Sequence, residues 1–179
     1  KFNVKEKLFD TRQLLICGEI NQKLAEKVTQ ELLALEADDD KKDITLFINS
    51  QGGHVEAGDT IHDMIQFIKP TVKVIGTGWV ASAGTHIYLA ADKENRYSLP
   101  NTRFLIHQPL GGTRGSASDI NIQAEQIVKM RERLAKVIAK STGQEIKRVR
   151  KDIDRDYWMT TDEAIDYGIV HKVIKKRQF

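Results

Sequence analysis

Short apolar runs alternate with amphipathic stretches along this chain, and that alternation restricts the fold more than any other feature. Ile44 to Ile48 and Val72 to Ile75 are apolar runs of the length of a buried strand. Arg96 to Leu99 and Thr102 to Ile106 read as a strand pair broken at Pro100-Asn101. Leu24, Val28, Leu32 and Leu35 recur at helical spacing and predict a helix over Gln22 to Ala37. Ile61, Ile65 and Ile68 mark a second helix that stops before Pro70. Asn49-Ser50-Gln51-Gly52-Gly53 and Gly76 to Gly78 read as turns, and Val80 to Ala91 as a helix rich in small residues. Strand–helix–strand–helix order predicts an α/β fold.

The second half adds a long helix from Ser118 to about Lys140, approached through Gly111, Gly112 and Gly115. Its apolar residues extend beyond one stripe, so a small core alone does not satisfy it, and a subunit interface is expected. Ile146, Val149 and Ile153 mark a short helix. Thr160 with Glu163 forms a capping box, Gly168 stops the helix it opens, and Ile169 to Ile174 is expected to close the chain as a strand. At 179 residues the chain is expected to form one domain, burying roughly 70% of its unfolded surface.

Charge narrows the function. Lys plus Arg number 28 and Asp plus Glu 25, a net +3 that gives no reason to expect nucleic acid as a partner. Lys172, Lys175, Lys176 and Arg177 read as a solvated tail. No run approaches a membrane span, and no basic-then-apolar leader opens the sequence. Cys17 is the lone cysteine, expected to be a buried, inert thiol in a reducing, cytosol-like compartment.

Ser82, in Val80-Ala81-Ser82-Ala83-Gly84, follows a strand and turn and begins a helix. A nucleophile gains there from free backbone N–H groups, and small neighbours let a substrate backbone approach. On its own the pattern serves close helix–sheet packing equally well. Two histidines qualify as its base. His86 lies four residues on, along the same helix, and His107 ends an apolar strand before Gln108-Pro109. The acid that orients the imidazole is one of Asp152, Asp154 and Asp156, which spacing does not separate. The Gly52-Gly53 amides, with that of Ala83, are candidates for an oxyanion hole, each donor worth on the order of 3 kcal/mol in the transition state. No histidine pair has metal spacing, so a zinc site is not expected. Gly76-Thr77-Gly78-Trp79-Val80-Ala81 fits a dinucleotide fingerprint, but bulky Trp79 and the absence of an acid ending the next strand count against it.

Five blocks in order give the chain a specific resemblance to the proteolytic subunit of the Clp protease, from about Leu8 to Ile174. They are Ile48-Asn49-Ser50-Gln51-Gly52-Gly53, Ala81-Ser82-Ala83-Gly84, Leu99-Pro100-Asn101, Ile106 to Gly112, and Asp152-Ile153-Asp154-Arg155-Asp156. The resemblance implies a crotonase-like fold with a projecting handle element, about 108–140. It implies an ATP-dependent Clp endopeptidase with a triad of Ser82, His107 and Asp156 and oxyanion donors at the backbone of Gly53 and Ala83. Gly53, His54 and Val55 on one side, and Pro109, Leu110 and Gly111 on the other, would flank an extended peptide. Asp154 and Arg155 would make contacts between rings. Two stacked seven-membered rings, open to mixing with a paralogous subunit, would enclose unfolded polypeptide delivered by an AAA+ unfoldase. That partner spends the ATP, and this subunit needs no cofactor. Its loops would dock near Phe47, in a bacterial cytoplasm. Gln51 stands where the family usually has proline, which predicts a looser oxyanion loop, and Ala83 where methionine is common. The axial-gate segment before the first matching strand is expected to be short or absent. Two rival expectations are a crotonase-type enzyme acting on acyl-CoA and a structural subunit that hydrolyses little.

Overall fold

The computed structural model describes residues 1–179. In chain order the elements are α1 (Val4–Asp10), β1 (Gln13–Ile20), α2 (Gln22–Asp38), β2 (Ile44–Gly53), α3 (Val55–Phe67), β3 (Val72–Ala81) and α4 (Ala83–Tyr88). A short 3-10 turn at Lys93–Asn95 leads to β4 (Arg96–Ser98) and β5 (Arg103–Ile106). Then come α5 (Ala117–Thr142), α6 (Ile146–Asp152), β6 (Tyr157–Met159), α7 (Thr161–Tyr167) and β7 (Lys172–Val173).

The helices follow from local chemistry. Asn21 caps α2 by accepting from the Leu24 amide, and Ala25, Val28, Leu32 and Leu35 form its buried stripe. Gly143 and Gly168 end α5 and α7 in the left-handed conformation, and the Thr160–Glu163 capping box opens α7. Buried Ile16, Ile44, Leu46, Ile48 and Val74 on the strands meet Leu32, Leu35 and Ile61 on the helices, forming the core. No helix is long and apolar enough to cross a membrane.

The sheet runs β1-β2-β3-β4-β7 with every neighbour parallel. β3 is the branching strand. Its first half, Val74 to Gly76, pairs with β4, and its last three residues, Trp79 to Ala81, pair with β5. β5 in turn pairs antiparallel with β6.

Several expectations give way to the structure. Asn49–Gly53 is not a turn but the end of β2, and Gly76–Gly78 lies within β3. Gly76 gives way to a neighbour: a Cβ there would lie 3.2 Å from Phe104. The expected helix from Val80 shrinks to Ala83–Tyr88, because Val80 and Ala81 are still paired in the sheet. β4 and β5 each pair with β3 rather than with each other. The closing strand is only Lys172–Val173. Cys17 is exposed, as is Leu15 two residues earlier on the same face of edge strand β1. α1, β1 and β6 are not among the elements expected from the sequence.

α5 is the outlying element. Its 26 residues span about 39 Å at helical rise. Only Ala135, Ile138 and Thr142, near its C-terminal end, are buried. Ile120, Ile122 and Val128 are exposed along its first half.

Candidate active site

Strand register brings the candidate residues together. Ala81 pairs with Leu105 in the parallel β3–β5 ladder, so the residues following these strands emerge side by side. They are Ser82 and, one step past Ile106, His107. Ile106 pairs with Tyr157 across the antiparallel β5–β6 ladder, so continuing the register sets His107 opposite Asp156. Residues far apart along the chain thereby meet at one corner of the sheet.

The side chains complete a hydrogen-bonded chain. His107 Nε2 is 2.7 Å from Ser82 Oγ, and His107 Nδ1 is 3.1 Å from Asp156 Oδ1. The imidazole is largely enclosed, at 13% exposure, whereas the Asp156 side chain is 63% exposed. With the proton on Nδ1, facing the carboxylate, Nε2 is free to accept from the serine hydroxyl.

The three aspartates are separated by their partners. Asp152 accepts from the Tyr167 hydroxyl at 2.9 Å, and Asp154 meets Arg131 on α5 at 3.1 Å. Asp156 alone of the three meets His107. Tyr167 is correspondingly pushed well above its usual range, first by burial and then by the Asp152 carboxylate. Arg155 is exposed. His86, the other candidate base, has Nε2 2.9 Å from Asp59, while the serine hydroxyl pairs with His107.

Ser82 has φ of 57° and ψ of −120°, a strained conformation for a residue with a Cβ. The surroundings hold it there. Its amide donates to the Leu105 carbonyl at 3.1 Å, and Thr85 Oγ1 donates to the carbonyls of Val80 and Leu105. Glycine is required beside it: Gly52 has φ of 99°, and a Cβ there would lie 2.7 Å from the serine Cβ. Gly53 runs against the Ile20 backbone with φ of 154°. Gly84 meets the Ser50 carbonyl, so the packing role of these small residues holds as well.

The Gly52–Gly53 segment that follows Gln51 is tied to β1 and to Ser50 by hydrogen bonds. Ser50 Oγ donates to Gly18 at 2.6 Å and accepts from the Gly52 amide at 3.0 Å, while the His54 amide donates to Ile20 at 2.8 Å. The His54 side chain is the N-cap of α3, with Nδ1 accepting from Ala57. Gly53, Val55, Pro109 and Leu110 line an open groove, of about 290 Å³, that also contains Ser82 and His107. Gly111 lies outside that lining and packs on Ile127 of α5. The Gln108 amide donates to the Ile153 carbonyl at 2.6 Å, and its side chain to the Asp154 carbonyl at 2.8 Å, tying the His107 segment to the aspartate segment.

No three His, Cys, Asp or Glu side chains are grouped to hold a metal ion. The glycines of the dinucleotide-like run lie within β3 and form no phosphate-binding turn. Sequence reasoning passed over Asp59, His62 and Arg133, which surround His86. Asp59 and His62 are three apart on α3, and that spacing on one helix face was the available signal.

A Ser–His–Asp chain at a strained strand-to-helix junction is the arrangement of a serine hydrolase. The family model described as Clp protease matches residues 1–177. The chain belongs to the Clp protease family. The match exceeds the Leu8–Ile174 span expected from its motifs and includes α1. "ATP-dependent Clp protease proteolytic subunit 3" of Rhizobium etli is 59% identical over 167 residues, covering 93% of this chain and 86% of the relative. A "proteolytic subunit 2" of Pseudomonas aeruginosa is 52% identical over 163 residues, 91% of this chain and 81% of the relative. Among solved structures, "ClpP1 from Listeria monocytogenes" superposes with a TM-score of 0.88 at 59% identity, covering 98% of both chains. The fold is therefore the crotonase-like fold of the Clp proteases, and the chain is a Clp protease proteolytic subunit, a serine endopeptidase. These findings displace the acyl-CoA expectation.

Proposed function

We propose that this Clp protease subunit hydrolyses peptide bonds through an acyl-enzyme formed on Ser82. His107 Nε2 takes the hydroxyl proton as Oγ attacks the carbonyl carbon, then gives it to the departing amine nitrogen. Water, activated by the same imidazole, releases the acyl group and restores the serine. Asp156 fixes the imidazole tautomer and balances its transient charge. The observation that carries this reading is the unbroken contact chain of 2.7 Å from Ser82 to His107 and 3.1 Å on to Asp156.

The backbone amides of Gly53 and Ala83 take the oxyanion. In support, no side-chain cap occupies the start of α4, and Gly53 lines the groove that contains Ser82. Gly53, His54 and Val55 and, opposite, Pro109, Leu110 and Gly111 flank the extended peptide as added strand pairing.

The subunit works in two stacked seven-membered rings, of one subunit type or mixed with a paralogue, joined through α5 and the glycine-rich segment before it. The exposed Ile120, Ile122 and Val128 favour burial of that helix against other subunits. Asp154 and Arg155 contribute between rings, where Asp154 is already linked to α5 through Arg131. An AAA+ unfoldase feeds unfolded chains and spends the ATP; it docks beside Phe47, where Ile75 and Leu99 also line a depression. The bacterial relatives support a cytoplasmic setting.

Substituting Ser82→Ala and assaying a short fluorogenic peptide tests the reading. Hydrolysis is expected to fall about 10⁴-fold or more. Undiminished hydrolysis overturns it.

A further inference from the structure

The inference rests on the peptidase reading just given and concerns which peptides the groove prefers. Cys17 pairs with Asn49 but Glu19 with Gly52, so two residues of β2, Ser50 and Gln51, stand opposite the single Gly18 of β1. A bulge of this kind re-aims the residues that follow it. Ser50 pins the bulge on both strands. Its Oγ donates to the Gly18 carbonyl at 2.6 Å and accepts from the Gly52 amide at 3.0 Å. Past the bulge, the register sets Glu19 beside Gly52, and Gly52 is itself pressed against Ser82. Glu19 thus stands one strand spacing, about 5 Å, beyond the residue that touches the nucleophile.

Glu19 lines the open groove that contains Ser82 and His107. No other Asp, Glu, Lys or Arg is part of that lining, which otherwise consists of glycines, apolar residues, Gln51 and the catalytic pair. None of the ion pairs within the chain uses its carboxylate. The chain as a whole carries a net charge of +3, so the negative charge is a local property of the groove.

An exposed carboxylate on a flat surface does little beyond keeping a protein soluble. In a cleft the low-dielectric walls concentrate its field, and a bound peptide displaces part of the screening water. The neighbouring walls are apolar at Val55, Leu105 and Leu110. A lysine or arginine side chain suits both features, because its stem packs on hydrocarbon while its cation stays at the wet rim.

We propose that Glu19 is a specificity-determining residue that gives the substrate groove a preference for lysine or arginine close to the attacked bond. An uncharged side chain of the same length gains nothing from the carboxylate, and an acidic one is repelled.

The test uses fluorescence-quenched peptides built on one neutral parent. Lysine, norleucine or glutamate is placed at one of four positions, the two before and the two after the attacked bond. Norleucine has most of the lysine stem without the ammonium, so the lysine-to-norleucine ratio of kcat/KM isolates the charge. Product masses assign each rate to a bond. The full chain is compared with Glu19→Gln and Glu19→Lys, run in parallel so that misfolding of one leaves the other to decide, and every rate is normalised to the parent peptide. At low ionic strength the ratio is expected to fall about fivefold at one or more positions in Glu19→Gln. It should fall further in Glu19→Lys, which should accept glutamate there in preference to lysine. Added sodium chloride should shrink the preference of the unmodified chain. Ratios that move less than about twofold at all four positions overturn the role of Glu19 and leave the peptidase reading intact. Failure of the unmodified chain to cut any of the peptides, or to react at Ser82 with a small alkyl fluorophosphonate, overturns the peptidase reading and this inference with it.

Discussion

Ser82 and Asp156 end the same hydrogen-bonded chain, yet one is embedded in the fold and the other stands at its surface. Around the serine, Val80, Ala81, Ala83 and Thr85 are buried, the backbone is strained, and two glycines are pressed against neighbouring main chain. Around the aspartate the side chain is 63% exposed, and the segment depends on Gln108 and on the Asp154–Arg131 pair. The same residues that build the core therefore fix the nucleophile. The acid end is held by the short β5–β6 ladder and a few polar ties, one of which leads to α5, a helix buried only near its C-terminal end. Changes at the acid end should remove activity and spare stability, whereas changes at the serine end should affect both.

The largest contrast is expected from Asp156→Ala. Turnover should fall about 10⁴-fold, because the imidazole loses its tautomer and its counter-charge. Stability to urea should change by less than about 0.5 kcal/mol, as for other exposed positions. A parallel loss of stability would break the contrast. At the other end, Gly52→Ala forces a Cβ to 2.7 Å from that of Ser82 at a φ of 99°. It should cost about 2–4 kcal/mol in urea unfolding and slow acylation about 100-fold through misplacement of the hydroxyl.

A third test concerns His62, behind the serine helix. Burial, then the neighbouring His86 charge, lower its pKa, with Asp63 opposing. The unfolded chain therefore binds a proton that the folded one resists. The contribution of His62 to stability is complete above about pH 6.5 and is lost as pH falls through the lower folded value. The urea midpoint should decline between pH 7 and pH 5, and His62→Phe should flatten that decline. The smallest effect is expected from Arg131→Ala. An exposed ion pair of this kind is worth less than about 1 kcal/mol, so thermal unfolding should shift only slightly. A several-fold drop in turnover without loss of stability would show that this tie positions Asp156.

Periodicity and capping made much of the helical layer legible. The stripe of α2, the Thr160 box and the glycine stops at Gly143 and Gly168 act locally, and local signals survive in sequence. The glycines of β2 and β3 misled because they admit neighbouring backbone and side chains rather than turning the chain, a purpose visible only in three dimensions. Cys17 was misjudged because an apolar run does not say which face of an edge strand a helix will cover. The site was half legible. Ser82 had a helix start, but choosing His107 over His86, and Asp156 over Asp152 and Asp154, needed the family resemblance. The β3–β5 and β5–β6 registers, which explain the choice physically, are long-range pairings that no spacing records. The Asp59–His86–Arg133 contacts were missed for the same reason.

Labelling of the intact chain with a fluorophosphonate, followed by peptide mapping, bears most directly on the hydroxyl being activated by the imidazole beside it. A single adduct should appear on Ser82, and His107→Ala should slow its formation by orders of magnitude. An adduct on another residue, or labelling of Ser82 that proceeds equally fast without the imidazole, would contradict the account.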